Sequence, residues 1–98
     1  LASMPDGSLL VNVSRGKVVD TGALVEAVAS GRIRAALDVT DPEPLPSDHQ
    51  LWQAPGVLIS PHVGGASSAF APRAVAMLRE QIAAFAGERQ LRNVVNAG

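Results

Sequence analysis

With 98 residues, 47% of them hydrophobic and 17% charged, the chain has the make-up of one small globular domain with a single core. A net charge of −1 with dispersed lysines and arginines argues against nucleic acid or an anionic membrane as a partner, and no apolar run is long enough to span a bilayer. The absence of cysteine excludes disulfides and thiolate metal centres; no other metal site is expected, and the cytoplasm is the expected compartment.

The chain begins at Leu1, and Leu1 to Gly7 reads as a helix end followed by a Pro-Asp-Gly turn, so it is expected to be a piece of a longer protein. Ser8 to Ser14 (SLLVNVS) is a β-rich run with apolar residues on both faces, which suits a strand buried on both sides in a helix-covered parallel sheet. Arg15-Gly16 closes it. Asp20 or Thr21 then caps a helix running to about Ser30, with Leu24, Val25, Ala27 and Val28 on its apolar side and Gly31 at its C-terminal stop.

Ile33 to Val39 (IRAALDV) is the second strand. Asp41 to Pro55, which holds Pro42, Pro44, Pro46 and Pro55, is expected to be a long irregular loop, and loops of that length are often functional. His49 is assigned to the surface of this loop and Trp52 to its anchoring. Gly56 to Ser60 (GVLIS) forms the third strand, stopped by Pro61. From about Ala69 to Ala86, the residues Phe70, Ala74, Met77, Leu78, Ile82 and Phe85 recur at helical spacing and make one apolar stripe. Pro72 fits only in the first turn of that helix, Gly87 ends it, and Leu91 to Gly98 is expected to be a short extended tail.

Strands alternating with helices imply parallel strands joined by right-handed crossovers, the second of them an irregular loop. The expected fold class is α/β, half of a doubly wound parallel sheet with about three strands, plus a long C-terminal helix. In open sheets of this kind, ligands bind beyond the carboxyl ends of the strands. Arg15, Asp38 and His62 follow the three strands at that edge, and Glu43 lies in the loop leaving it.

The side chains at this edge have complementary chemistry. A guanidinium offers a planar fork for a substrate carboxylate and can polarise an adjacent carbonyl. A histidine paired with a carboxylate is stabilised as imidazolium and can hand a proton to a developing alkoxide. Together they suit the reduction of a 2-oxo acid, with the hydride supplied by a cofactor. Each residue also has a plainer reading: Arg15 as a surface arginine paired with an acid, His62 as a hydrogen-bonded rim histidine, Asp38 as a turn cap, Glu43 as a solvated loop charge. Asp20 is read as a helix cap.

The order and spacing of three segments resemble a known family, the D-isomer-specific 2-hydroxyacid dehydrogenases. Asn12 to Asp20 is similar to its N-x-x-R-G-x-x-V-D segment, Ala36-Leu37-Asp38-Val39 with Glu43-Pro44 to its A-L-D-V…E-P, and Ser60-Pro61-His62-Val63-Gly64 to its T-P-H-x-G. The resemblance implies an oxidoreductase that transfers hydride between NAD or NADP and a small 2-oxo acid. It implies that Arg15 binds the substrate carboxylate, that His62 is the acid/base, and that Glu43 is its carboxylate partner. Asp38 would contact the nicotinamide end of the cofactor, with Ser14 and Gly64 as backbone neighbours.

It further implies that residues 1–66 are the C-terminal half of a Rossmann domain and residues 67–98 a helix and tail returning towards a substrate domain. A homodimer is the implied assembly of the full-length protein. Formate dehydrogenases of the family usually carry Gln where Glu43 stands, and Asp38 to Trp52 is similar to the glyoxylate/hydroxypyruvate reductases. No G-x-G-x-x-G is present, so the pyrophosphate grip and the residue that selects NAD or NADP lie outside this chain, which is expected to be inactive alone. A dinucleotide-responsive protein-interaction scaffold of the same family is the alternative. The apolar stripe of the long helix and the open sheet edge are expected to need a partner.

Overall fold

The computed structural model describes residues 1–95, which divide after Gly64 into two compact units, each described by itself. In the first unit, β1 (Leu9–Asn12), α1 (Thr21–Ala29), β2 (Arg34–Leu37) and β3 (Val57–Ile59) form a three-stranded sheet in the order β1-β2-β3. Both strand pairs are parallel, in the register Asn12↔Leu37↔Ile59. This is the α/β arrangement that the alternation of strands and helices implies.

Local chemistry explains the element boundaries. The Asp20 carboxylate accepts from the Ala23 amide at 2.9 Å and caps α1 at its N-terminus. Gly31, at φ 70°, follows the C-cap Ser30 in the left-handed conformation that glycine tolerates. The Pro-Asp-Gly segment turns as expected, with the Ser8 hydroxyl donating to the Pro5 carbonyl. Arg32 donates to the carbonyls of Leu1 and Met4 and so ties the first residues to the start of β2.

The core lies on one face of the sheet. Leu24, Ala27 and Val28 of α1 pack with Ile33, Ala35, Leu37, Leu45 and Leu51. The expectation that the first strand is buried on both sides is not met: Leu9 and Val11 are 52% and 57% exposed, and Leu58 of β3 is 69% exposed. Side chains alternate across a strand, and the single helix of this unit covers only one of the two faces. The apolar run reflects a two-sided sheet of which this unit supplies one layer.

The loop from Asp41 to Pro55 is more ordered than its prolines suggested. Leu45 and Leu51 anchor it in the core. A 3-10 turn at Gln50–Trp52 is capped by His49, whose Nδ1 accepts from the Leu51 amide at 3.2 Å. His49 is therefore a cap residue and not merely loop surface. Trp52, half exposed, donates its indole N–H to the Pro46 carbonyl and braces the loop against itself.

In the second unit, α2 (Phe70–Ala86) carries Pro72 in its first turn and ends at Gly87, whose amide donates to the Ala83 carbonyl. Its only buried residue is Ala84; Phe70, Ile82 and Phe85 are all more than 60% exposed. The tail does not run on as a strand over Leu91–Val95. Instead, Gln81 of α2 holds the backbone of Arg92 through both of its amide atoms. The remainder of the expected extended tail, residues 96–98, lies outside the described residues. No helix among the described residues is long and apolar enough to cross a membrane.

Candidate active site

Because the register aligns Asn12, Leu37 and Ile59, the three strands end level. The residues that follow them share the carboxyl edge of the sheet.

At the end of β1, the side chain of Asn12 is buried and uses both ends of its amide. Its Oδ1 accepts from the Ser14 amide and hydroxyl, both at 3.1 Å, and its Nδ2 donates to the Arg15 carbonyl at 3.0 Å. This closes residues 12–15 into a tight knot and leaves the Arg15 side chain at the surface. Among the described residues, the Arg15 guanidinium makes no ion pair and donates only to the Ser14 carbonyl. The reading of Arg15 as a surface arginine paired with an acid is therefore not what the structure shows, and most of its donor fork is free.

At the end of β2, Asp38 is buried, and its carboxylate gathers the loop after β3. Its Oδ1 accepts from the Ser60 hydroxyl at 2.6 Å and the Val63 amide at 2.9 Å; its Oδ2 accepts from the Gly64 amide at 2.7 Å. Hydrogen bonding to Ser60, then to the Val63 and Gly64 amides, holds the Asp38 carboxyl below the usual aspartate range against the opposing effect of burial. A Cβ on Gly64 would lie 2.9 Å from Asp38 Oδ2, so the loop closes this tightly only around a glycine.

His62, inside this loop, has φ 57°, a left-handed conformation that costs a non-glycine residue on the order of 1 kcal/mol. The amide bonds on its C-terminal side to Asp38 over-determine that backbone. The imidazole Nδ1 is hydrogen-bonded to Glu43 Oε1, which leaves Nε2 without a partner among the described residues. Glu43 also accepts from the Thr40 amide at 3.5 Å. Its carboxyl is held below the usual glutamate range, first by the hydrogen bond to His62, then by the Thr40 amide, with the charges of His62 and Arg15 adding to the effect. The pair lines a cavity of about 410 Å³ whose other walls include Leu45, Trp52, Ile59 and Pro61.

These shifts predict an acid-sensitive fold. The folded-state values of Asp38 and Glu43 are both lowered, so the unfolded chain takes up these protons first as the pH falls. Their stabilisation is fully present above roughly pH 5, the upper edge of ordinary carboxylate titration, and is lost as the pH drops through the lowered folded values. Thermal melts across pH should show this decline, with a shallower acid slope in Asp38→Asn. Equal slopes in the two proteins would remove Asp38 from the explanation.

For a dinucleotide, the residues present fit only one end. Asp38 Oδ2 carries a single hydrogen bond and keeps capacity for a further donor such as a carboxamide N–H. No glycine-rich strand–turn–helix able to cradle a pyrophosphate occurs in the sequence. Ser14 is exposed, with its hydroxyl turned to Asn12.

The structural roles of four residues at this edge escaped the sequence reading, although all four were named in it. Asn12 carried one available signal, a polar amide inside an apolar run. Ser60 gave none, since its partner lies 22 residues away. Gly16 and Thr21 also gave none: a Cβ on Gly16 would lie 1.9 Å from the Thr40 carbonyl oxygen, and the Thr21 hydroxyl donates to the Asp41 carbonyl at 2.8 Å.

Comparison with known proteins places this edge in context. Residues 1–64 match the family model described as D-isomer specific 2-hydroxyacid dehydrogenase, NAD binding domain. A glyoxylate reductase from Aeropyrum pernix is 41% identical over 97 residues, covering 98% of this chain and 29% of that protein. A crystal structure of a D-isomer specific 2-hydroxyacid dehydrogenase from Xanthobacter autotrophicus Py2, in complex with NADPH and MES, superposes with a TM-score of 0.85 at 40% identity. That match covers 97% of this chain and 39% of the other. An NADPH-dependent glyoxylate/hydroxypyruvate reductase from Sinorhizobium meliloti, in complex with NADP and sulfate, matches with a TM-score of 0.76 and 31% identity, over 92% of this chain and 28% of that one. The chain thus spans between 28% and 39% of the length of these relatives. Its fold, its three motif segments and the match of residues 1–64 to the NAD-binding domain make it a member of the D-isomer-specific 2-hydroxyacid dehydrogenase family.

Proposed function

We propose that this chain supplies the acid/base half of the active site of an NAD(P)-dependent 2-hydroxyacid dehydrogenase acting on a small 2-oxo acid, with glyoxylate and hydroxypyruvate as the leading substrates. The observation that carries the reading is the His62–Glu43 pair, set on the same strand edge as Arg15, which makes no ion pair among the described residues. The names of the relatives support the substrate class, and a Glu at position 43, where the formate dehydrogenases of the family usually carry Gln, supports an oxo-acid reductase.

In this reading, Arg15 grips the substrate carboxylate with its open fork and draws electron density from the neighbouring carbonyl. Glu43, ionised, accepts a hydrogen bond from Nδ1–H of the His62 imidazolium and fixes the plane of the ring. Nε2–H then donates to the carbonyl oxygen as charge develops there, and in the reverse direction Nε2 accepts the hydroxyl proton. The nicotinamide, when bound, supplies or takes the hydride at the substrate's C2. Asp38 holds the loop bearing His62 and offers its remaining oxygen lone pair to the carboxamide end, with Gly64 giving close access beside it and Ser14 lying across the edge.

The 98-residue chain alone carries no pyrophosphate grip and is proposed to be inactive. The test is steady-state turnover of the full-length protein on glyoxylate, hydroxypyruvate and pyruvate with NADH and with NADPH. Reduction of at least one is expected. Absence of turnover on all three would overturn the proposal in favour of a non-catalytic, dinucleotide-responsive scaffold.

A further inference from the structure

The position of Glu43 relative to His62 depends on the segment Thr40–Glu43, which leaves β2 and would otherwise be free to swing. One residue at the start of α1 and one in the β1–α1 connection hold it. The hydroxyl of Thr21, the first residue of α1, donates to the Asp41 carbonyl at 2.8 Å across 20 residues of sequence. Five residues earlier, in the 3-10 turn Gly16–Val18, the backbone of Gly16 presses against Thr40 so closely that a Cβ would lie 1.9 Å from its carbonyl oxygen. Within the segment, the Thr40 hydroxyl donates to the Pro42 carbonyl at 2.9 Å, and the Thr40 amide faces Glu43 Oε2. The same connection carries Arg15 immediately before Gly16.

We propose that Thr21 is a positioning residue for Glu43: its hydroxyl, together with the bare backbone of Gly16, locks the Thr40–Glu43 segment onto the connection that carries Arg15. The fork and the acid/base pair are thereby built as one piece, although they lie on different loops. Thr21 touches neither member of the pair and acts only through the Asp41 carbonyl. Its position as the first residue of a capped helix gives the anchor its rigidity: Asp20 fixes the helix start, and the first turn fixes Thr21. The inference rests on the acid/base reading of Glu43 and His62, but its test does not.

The experiment uses the full-length protein and follows the Glu43 side-chain carboxyl by carbon NMR across pH. The groups facing this carboxyl are the His62 ring and the Thr40 amide, with the Arg15 charge beside them. In wild type the midpoint is expected below the usual glutamate range, because the His62 ring and the Thr40 amide hydrogen-bond the carboxylate. Thr21→Val keeps the shape and removes the donor, so the midpoint should rise towards the ordinary range. Thr21→Ser, which keeps the hydroxyl, should restore the low midpoint. An unchanged midpoint in Thr21→Val overturns the proposal, as does a raised midpoint in Thr21→Ser.

Circular dichroism keeps the test decisive if Thr21→Val unfolds the chain. Thr21→Ser must then remain folded with the wild-type midpoint, and its failure also counts against the proposal. Failure of the functional reading would appear separately, as turnover that survives loss of His62, with these midpoints unmoved.

Discussion

In the full-length protein, His62→Ala should lower kcat/KM by roughly 10²–10⁴-fold, the usual contribution of a positioned general acid/base. The ring is held in a strained left-handed backbone by amide bonds to Asp38 and is oriented through Nδ1 by Glu43. No neighbouring group among the described residues is placed to substitute for Nε2. Arg15→Ala should cost a comparable factor by a different route, because it removes the fork that would bind the substrate carboxylate. Arg15→Lys should rescue little of that loss, since a point charge cannot make the bidentate contact. Steady-state kinetics on the preferred 2-oxo acid checks both. Wild-type-like kcat/KM in either alanine variant would sink the assignment of that residue.

The second large effect is on folding. Gly16→Ala should destabilise the chain by about 3 kcal/mol or more, at or beyond the upper end of ordinary overpacking. The added carbon would stand 1.9 Å from the Thr40 carbonyl oxygen and also within 3 Å of the Thr40 carbonyl carbon and the Asp41 amide nitrogen. These are backbone atoms, so no rotamer change relieves the clash. The β1–α1 connection or the Thr40–Glu43 segment must move, and Arg15 or Glu43 moves with it. Gly65→Ala is the control, since a Cβ there meets nothing within 4 Å. Urea unfolding of the two variants should separate them clearly, and equal midpoints would show that the connection yields at little cost.

The two predictions probe different levels of the same site. Histidine and arginine at the ends of parallel strands could be read from residue order, because strand polarity alone brings successive carboxyl ends to one edge. The contact at Gly16 could not, because it depends on how closely two loops pass.

The same division runs through the rest of the chain. Periodicity and end signals are local, so the sequence by itself determined the order of strands and helices, the cap at Asp20, the stop at Gly31, and Pro72 within the first turn of α2. Motif spacing placed Arg15, Asp38, Glu43 and His62 on one rim. It also suggested that β1 has two covered faces, which this unit does not provide, with Leu9 and Val11 open on one side. The family resemblance already implied that Glu43 meets the imidazole, but tertiary structure alone decided that Asp38 knots the His62 loop through Ser60, Val63 and Gly64, and that Thr21 and Gly16 hold the segment bearing Glu43. The physical reason is distance along the chain. These contacts join residues about 20 or more positions apart, and which of them form depends on strand register and loop packing rather than on the identity of near neighbours.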